Sequence, residues 1–312
     1  MSSNKYLPEG SLIGTAENNE YISSLYGLER ARQEDKILEG MVTLCDSDTY
    51  TLHVDLCGID GIITREEALL GDEIKDIAII TRVGKPVAFK VLQVVAEQGV
   101  EPYAILSRKE AQRECLSSYL LDLVAGDIIP ARVTHIEPFG AFVDIGCGIV
   151  SLMSVDAISV SRIPGPQERF KPREQIKVVV KSIDYDSGRI YTSTRELFGT
   201  WEENASKFTT GQTVSGIIRS VEDYGVFVEL TPNLAGLAEL KDGVVSGQGC
   251  AVYIKSIVPE KMKIKLVIID TYEAQLPQKR PEYFIDTDKV THIDYWRYSP
   301  SVCDRVVETK FE

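Results

Sequence analysis

Two aromatic rings three residues apart, Phe139 and Phe142 in Glu137-Pro138-Phe139-Gly140-Ala141-Phe142-Val143-Asp144, can stack on flat nucleic-acid bases. The same spacing returns in Glu222-Asp223-Tyr224-Gly225-Val226-Phe227-Val228-Glu229. Every base offers a π face, so such a platform is sequence-tolerant. In a regular strand, residues three apart face opposite sides of the sheet. Gly140 and Gly225 therefore predict a bulge or strong twist that turns both rings to one face. Ala141, Val143, Val226 and Val228 are left to serve the core. A single copy is equally good core packing, but recurrence in the same surroundings marks a repeat and favours an exposed platform.

The elements that must position these rings are short strands in three sets. Apolar, β-branched runs predict strands over 41–44, 50–56, 61–63, 87–94 and 103–106, then 128–136, 140–145, 149–153, 176–183 and 189–194. The third set covers 213–221, 225–230, 235–239, 251–257 and 262–268. Pro130 lacks a ladder donor and predicts an edge or bulge in the second set. Residues 18–39 read as helical, with Gly27 weakening a single unbroken helix. Ser107-Arg108-Lys109-Glu110 has the form of a capping box and opens a helix that is expected to end near Ala125-Gly126. A second connector, 194–205, breaks at Gly199. In the tail, 283–285 and 291–297 are expected to pair as a hairpin whose rings pack rather than bind.

Composition limits the possible functions. The 312 residues carry 34 Lys and Arg against 47 Asp and Glu, a formal net charge of −13. Because affinity for phosphate backbones comes mainly from Lys and Arg, an acidic chain needs its basic residues on one face. It should bind single strands weakly, with strong salt dependence, and duplex DNA poorly. The six cysteines are scattered singly, with no C-x-x-C pair, and the three histidines lie far apart, so no metal or cofactor site is expected. No P-loop, dinucleotide fingerprint or nucleophile elbow appears, which argues against an enzyme. No apolar run reaches membrane-span length, and the start Met1-Ser2-Ser3-Asn4-Lys5 lacks signal-peptide order, so a cytoplasmic location is expected.

The pattern Gly126-Asp127, Val133, Ile136, then Phe139-Gly140-Ala141-Phe142-Val143-Asp144-x-Gly146, followed by Ser182-Ile183-Asp184 and Gly188-Arg189-Ile190, resembles the S-one domain. That domain is the RNA-binding OB-fold repeat first described in bacterial ribosomal protein S-one. The likeness is close over 126–197, good over 211–269 and faint over 40–108. It implies an all-β fold with connecting helices: three tandem five-stranded OB-fold barrels, the first degenerate, plus an N-terminal helix and a C-terminal aromatic hairpin or tail. The expected segments are a tail and helix at 1–39, barrels at 40–108, 126–197 and 211–270, linkers at 109–125 and 198–210, and an extension at 271–312.

In such domains the RNA face resembles a platform of two motif aromatics, a histidine on strand three, an aspartate after strand four and a basic residue opening strand five. The resemblance implies Phe139, Phe142, Asp184 and Arg189 for the second barrel, with Ser154 at the histidine position. For the third it implies Tyr224, Phe227 and Lys263, with Glu239 and Val258 in place of histidine and aspartate. Lys261, Lys263 and Lys265 alternate with Met262, Ile264 and Leu266, so their charges share one side. The first set has Tyr50, His53 and Thr64, no evident basic partner and no assigned site. The expected function is non-catalytic binding of single-stranded RNA or mRNA in translation, with the small ribosomal subunit as a further partner and no membrane or small-molecule substrate. The alternative is a protein-interaction scaffold with minor RNA contact.

Overall fold

The computed structural model describes residues 5–71, 75–185, 188–273 and 282–311. The N-terminal segment forms helices α1 (Ala16–Ile22) and α2 (Leu25–Gln33), and the first strand set forms β1 (Leu38–Cys45), β2 (Leu52–Leu56), β3 (Ile59–Ile63), β4 (Pro86–Val95) and β5 (Tyr103–Ser107). Helix α3 (Asp76–Ile80) lies between β3 and β4, and α4 (Arg108–Ser118) follows β5. The second set is β6 (Ile128–Glu137), β7 (Gly140–Asp144), β8 (Val150–Ser154), β9 (Gln175–Asp184) and β10 (Arg189–Ser193). After α5 (Trp201–Ala205) come β11 (Thr213–Glu222), β12 (Gly225–Thr231), β13 (Leu234–Ala238), β14 (Gly249–Val258) and β15 (Lys263–Tyr272), then β16 (Tyr295–Arg297) and β17 (Glu308–Lys310).

Each five-strand set closes into a barrel of the same order, in which the third strand lies beside the fifth and the fifth beside the fourth. The third and fifth strands run parallel in all three, as Leu237 opposite Lys265 illustrates. Closure removes the exposed edges that an open sheet would present. The first barrel is thus complete as a fold, closed in the same strand order as the other two. Pro130 is the third residue of β6 and does not interrupt that strand. An extra residue recurs at one place in every fourth strand, namely Leu92, Lys181 and Lys255. Such bulges sharpen the local twist that a small barrel needs.

The chain groups into two compact units. The first is built on residues up to Leu123 together with Pro130–Arg132 and Asp144–Val150, and the second takes the rest. In the first unit, Tyr21, Ile22 and Leu28 from the helices join Leu38, Leu52 and Phe89 in one apolar core. Leu28 is fully buried, which is worth about 1.5–3 kcal/mol for such a side chain. The helical stretch breaks at Ser23-Ser24, not at Gly27. Ser24 is an extended N-cap whose hydroxyl accepts from the Gly27 N–H at 3.0 Å. Gly27 sits inside α2, where a Cβ would fall 2.4 Å from the Tyr21 carbonyl oxygen. Helix α4 stops earlier than expected, at Ser118, and a 3-10 turn over Leu120–Asp122 follows. Half of the expected capping box is present: the Ser107 hydroxyl accepts from the Glu110 N–H at 2.9 Å, while the Glu110 carboxylate is held by Arg113.

A buried ionic cluster anchors the N-terminal segment of this unit. Arg108 Nε donates to Glu9 Oε1 at 2.6 Å and Arg82 Nη1 to Glu9 Oε2 at 3.1 Å. The Glu9 N–H donates to Asp144 Oδ2 at 2.7 Å, and the N–H groups of Gly10 and Leu12 both donate to Glu39 Oε2 at 2.9 Å. Burial pushes the Glu39 carboxyl up from 4.5 to about 7, helped by the Glu9 charge and opposed by those two N–H bonds. A native state that holds this proton more tightly than the unfolded chain loses stability as pH rises through the interval between the two values. Urea midpoints of the intact protein should therefore fall between about pH 4.5 and 7, and Glu39→Gln, which keeps an acceptor for both N–H groups, should flatten that fall. Equal pH slopes for both proteins would refute this.

In the second unit, Trp201, Trp296 and Tyr298 are buried against Ile218, Val228 and Leu266 of the third barrel. Packing is thus the role of these two tail rings, as expected. The strand pairing of the tail differs from expectation: Tyr295–Arg297 pairs with Glu308–Lys310, not with 283–285. Thr291 and Ile293 instead exchange backbone bonds with Ile128 and Gly126 at 2.8 and 2.9 Å, and Tyr283 stacks on Phe198 at 5.7 Å. These partners are remote in sequence, so the tail's own alternation could not reveal them. The second connector behaves as expected. A 3-10 turn over Arg195–Phe198 ends at Gly199, and Thr200 and Glu203 form a complete capping box for α5. Among the described residues, no helix is long and apolar enough to cross a membrane.

Candidate nucleic-acid interface

The ring motif owes its shape to a tight hairpin. Glu222 lies opposite Gly225, so Asp223 and Tyr224 form a two-residue turn between β11 and β12, and Pro138 and Phe139 do the same between β6 and β7. The first ring of each pair therefore stands at a hairpin tip, outside the period-two alternation of a strand. The bulge expected at the glycine lies elsewhere, at Arg219 between Ile218 and Ser220 of the preceding strand. The glycine provides room. A Cβ on Gly140 would sit 2.6 Å from the Met153 carbonyl oxygen and one on Gly225 2.6 Å from that of Ala238, and Gly225 has φ +149°.

Phe139 and Phe142 meet edge to face, with centroids 6.1 Å apart and planes at 90°, and Phe139 is 56% exposed. Tyr224 and Phe227 repeat this at 6.0 Å and 88°, with Tyr224 70% exposed. Edge-to-face pairing holds each ring in place while leaving π surface for a base. A third ring joins the second barrel: His135 stacks on Phe142 at 6.2 Å and 27°, with Nε2 2.5 Å from Glu137 Oε1. Sequence reasoning missed it because the contact crosses from β6 to β7. The hairpin register was the available signal, since the equivalent Ser220 lies opposite Phe227.

Arg189 lies opposite Asp184 across β9 and β10, and Lys263 lies opposite Val258 across β14 and β15. All four positions therefore match between the barrels. Following the rungs from Phe227 leads to Leu237 and then Lys265, so Lys265 shares the row of the ring, with Lys263 two residues away on the same face. Tyr191 holds the corresponding row in the second barrel, opposite Leu152. Lys263 and Lys265 are exposed while Ile264 and Leu266 are buried, as alternation requires.

Ser154 ends β8 beside the hairpin, and the Val155 N–H donates to the Phe139 carbonyl at 2.9 Å. The Ser154 hydroxyl is the main cause holding the Asp156 carboxyl below its ordinary range, with Lys181 assisting against burial. This position thus brings a carboxylate where a histidine would bring a donor. Glu239 just beyond β13 is exposed, with Lys255 Nζ 3.9 Å away to offset its charge. In the first barrel, Tyr50 is half-buried against the core with φ +55°, and His53 Nδ1 lies 2.9 Å from Asp60 Oδ2. A basic group does stand beside Tyr50, since the Arg65 guanidinium is 5.9 Å from its ring centroid. Asp76 holds that guanidinium at 2.7 Å. Among the described residues, no cluster of three or more His, Cys, Asp or Glu is placed to hold a metal.

The family model described as S1 RNA binding domain matches residues 123–195, the span that carries the Phe139 and Phe142 pair. Small ribosomal subunit protein bS1 of Staphylococcus epidermidis is 30% identical over 302 residues, covering 92% of this chain and 73% of the relative. The Leuconostoc lactis protein of the same name is 28% identical over 190 residues, covering 56% of this chain and 44% of the relative. The bS1 homolog of Bacillus cereus is 28% identical over 232 residues, with 70% and 56% covered. The chain thus spans about half the length of two of these three relatives. Near-complete alignment with the Staphylococcus protein, carried by three barrels of one strand order, shows that the chain belongs to the bS1 family of small ribosomal subunit proteins.

Proposed function

We propose that this chain is a non-catalytic binder of single-stranded RNA in the translation machinery of the cytoplasm, with mRNA as its ligand and the small ribosomal subunit as its place of action. The second barrel makes the main contact, through Phe139, Phe142 and His135, with Asp184 and Arg189 on the same barrel and Ser154 beside the hairpin. The observation that carries this reading is the exposed edge-to-face pair on a hairpin whose glycine admits no side chain. Stacking supplies affinity that the acidic chain cannot obtain from bulk charge. Ultraviolet cross-linking in cells, with linked peptides sequenced, should place RNA on Phe139, Phe142 or His135. Cross-links confined to residues outside the barrel faces would overturn it.

The first barrel fits an adaptor role instead, because its platform positions are already satisfied within the fold: Tyr50 by the core and Arg65, His53 by Asp60. A partner captured through residues before Arg108 that survives nuclease treatment would establish this second role, and release by nuclease would refute it.

A further inference from the structure

The equivalent faces of the second and third barrels differ at one position with a large consequence. Where His135 covers Phe142, the third barrel has Ser220, a residue too small to cover Phe227. A groove of about 640 Å³ opens there, and its lining includes Tyr224, Phe227, Met262, Arg162 and Arg305. Such a volume lies within the range of small-ligand sites.

Neither arginine belongs to the barrel. Arg162 is carried by the loop that follows β8, and Arg305 by the extension that leads into β17. Both are exposed, and no hydrogen bond or ion pair holds either guanidinium among the described residues. The segments that carry them are pinned. The Val160 N–H donates to Asn233 Oδ1 at 2.9 Å and the Ser161 N–H to the Pro232 carbonyl at 3.1 Å, immediately before Arg162. Farther along that loop, Arg169 Nη2 donates to Glu229 Oε2 at 2.7 Å with both side chains buried, and Arg219 bridges Glu229 and Glu168 at 2.8 Å each. On the extension, the Tyr298 hydroxyl donates to the Asn233 carbonyl at 2.5 Å. Two guanidiniums without a hydrogen bond or ion pair among the described residues are thus carried on anchored segments to a groove that a ring pair also lines, an arrangement that suits a base with its flanking phosphates. Glu222 on the rim disfavours phosphate at that point and can accept a hydrogen bond from a base amino group.

We propose that this groove holds one unpaired nucleotide of single-stranded RNA, its base against Tyr224 and Phe227 and its phosphates on Arg162 and Arg305. The inference rests on the RNA-binding reading above and extends it to residues outside the barrel. The test uses the full chain, a fluorescein-labelled unstructured 12-mer RNA and a 5-iodouridine form of it for cross-link mapping. Arg162→Gln/Arg305→Gln should weaken binding about tenfold near 100 mM salt and lower the slope of log affinity against log salt by about 1.4, because two phosphate contacts are lost. Cross-links at Tyr224 should fall with it, while those at Phe139 persist. Unchanged affinity and slope in the double variant would overturn the inference. So would a wild-type protein that cross-links at Phe139 or Phe142 but never at Tyr224 or Phe227, and in that case the RNA-binding reading stands. Absence of cross-links from both barrels would remove both.

Discussion

Replacing Phe139 and Phe142 together by alanine should lower affinity for an unstructured RNA by roughly 30-fold or more. Stacking on an aromatic is worth about 1–3 kcal/mol per base, and about 1.4 kcal/mol corresponds to a factor of ten. Two rings lost together give about 2 kcal/mol at the low end of that range. Because neither ring is charged, the salt dependence should not change, which separates this effect from loss of a phosphate contact. The first ring projects from a hairpin tip and the second lies half-buried on the outer face, so barrel closure does not depend on either. Fluorescence anisotropy titration checks the loss, and circular dichroism checks the fold. A folded double variant that binds as tightly as the parent would remove the platform from the account. Tyr50→Ala should leave RNA affinity unchanged, since that ring packs against the core of the first barrel.

The largest effect on stability is expected at Arg108. Its side chain is fully buried and donates to Glu9 Oε1 at 2.6 Å, to the Ala68 carbonyl at 3.2 Å and to the Gly148 carbonyl at 3.4 Å. Burial raises the Glu9 carboxyl, but the charges of Arg108 and Arg82 outweigh it and hold the group below its ordinary range. Arg108→Ala would leave that carboxylate, and the backbone carbonyls, without their main partner inside the protein. Breaking a buried pair from one side costs about 3–5 kcal/mol. Arg113→Ala, on the same helix and exposed beside Glu110, should cost less than about 1 kcal/mol. Urea unfolding followed by far-ultraviolet circular dichroism compares the two, and similar midpoints would show that the cluster does not anchor the first unit.

Much of this protein was legible in its sequence because barrel strands declare themselves locally. Alternating apolar residues and recurrent glycines located all fifteen barrel strands to within about four residues at either end. Alternation is a property of neighbours in the chain, so it survives without knowledge of the fold. What escaped were relations between residues on different strands or segments. Phe139 and Phe142 share a face because of a two-residue turn and not because of a glycine bulge, and His135 reaches Phe142 only across the hairpin. Arg108 opens a capped helix, and nothing in its local pattern reveals that it is fully buried against Glu9, ninety-nine positions away. Arg162 and Arg305 lie in segments without regular pattern, and only the packing of loop and tail around Asn233 brings them beside Tyr224 and Phe227. The sequence by itself determined the barrels, their order and the first ring platform. Tertiary structure decided which rings are covered and which charges are buried or free, because desolvation and stacking depend on distances that no local pattern encodes.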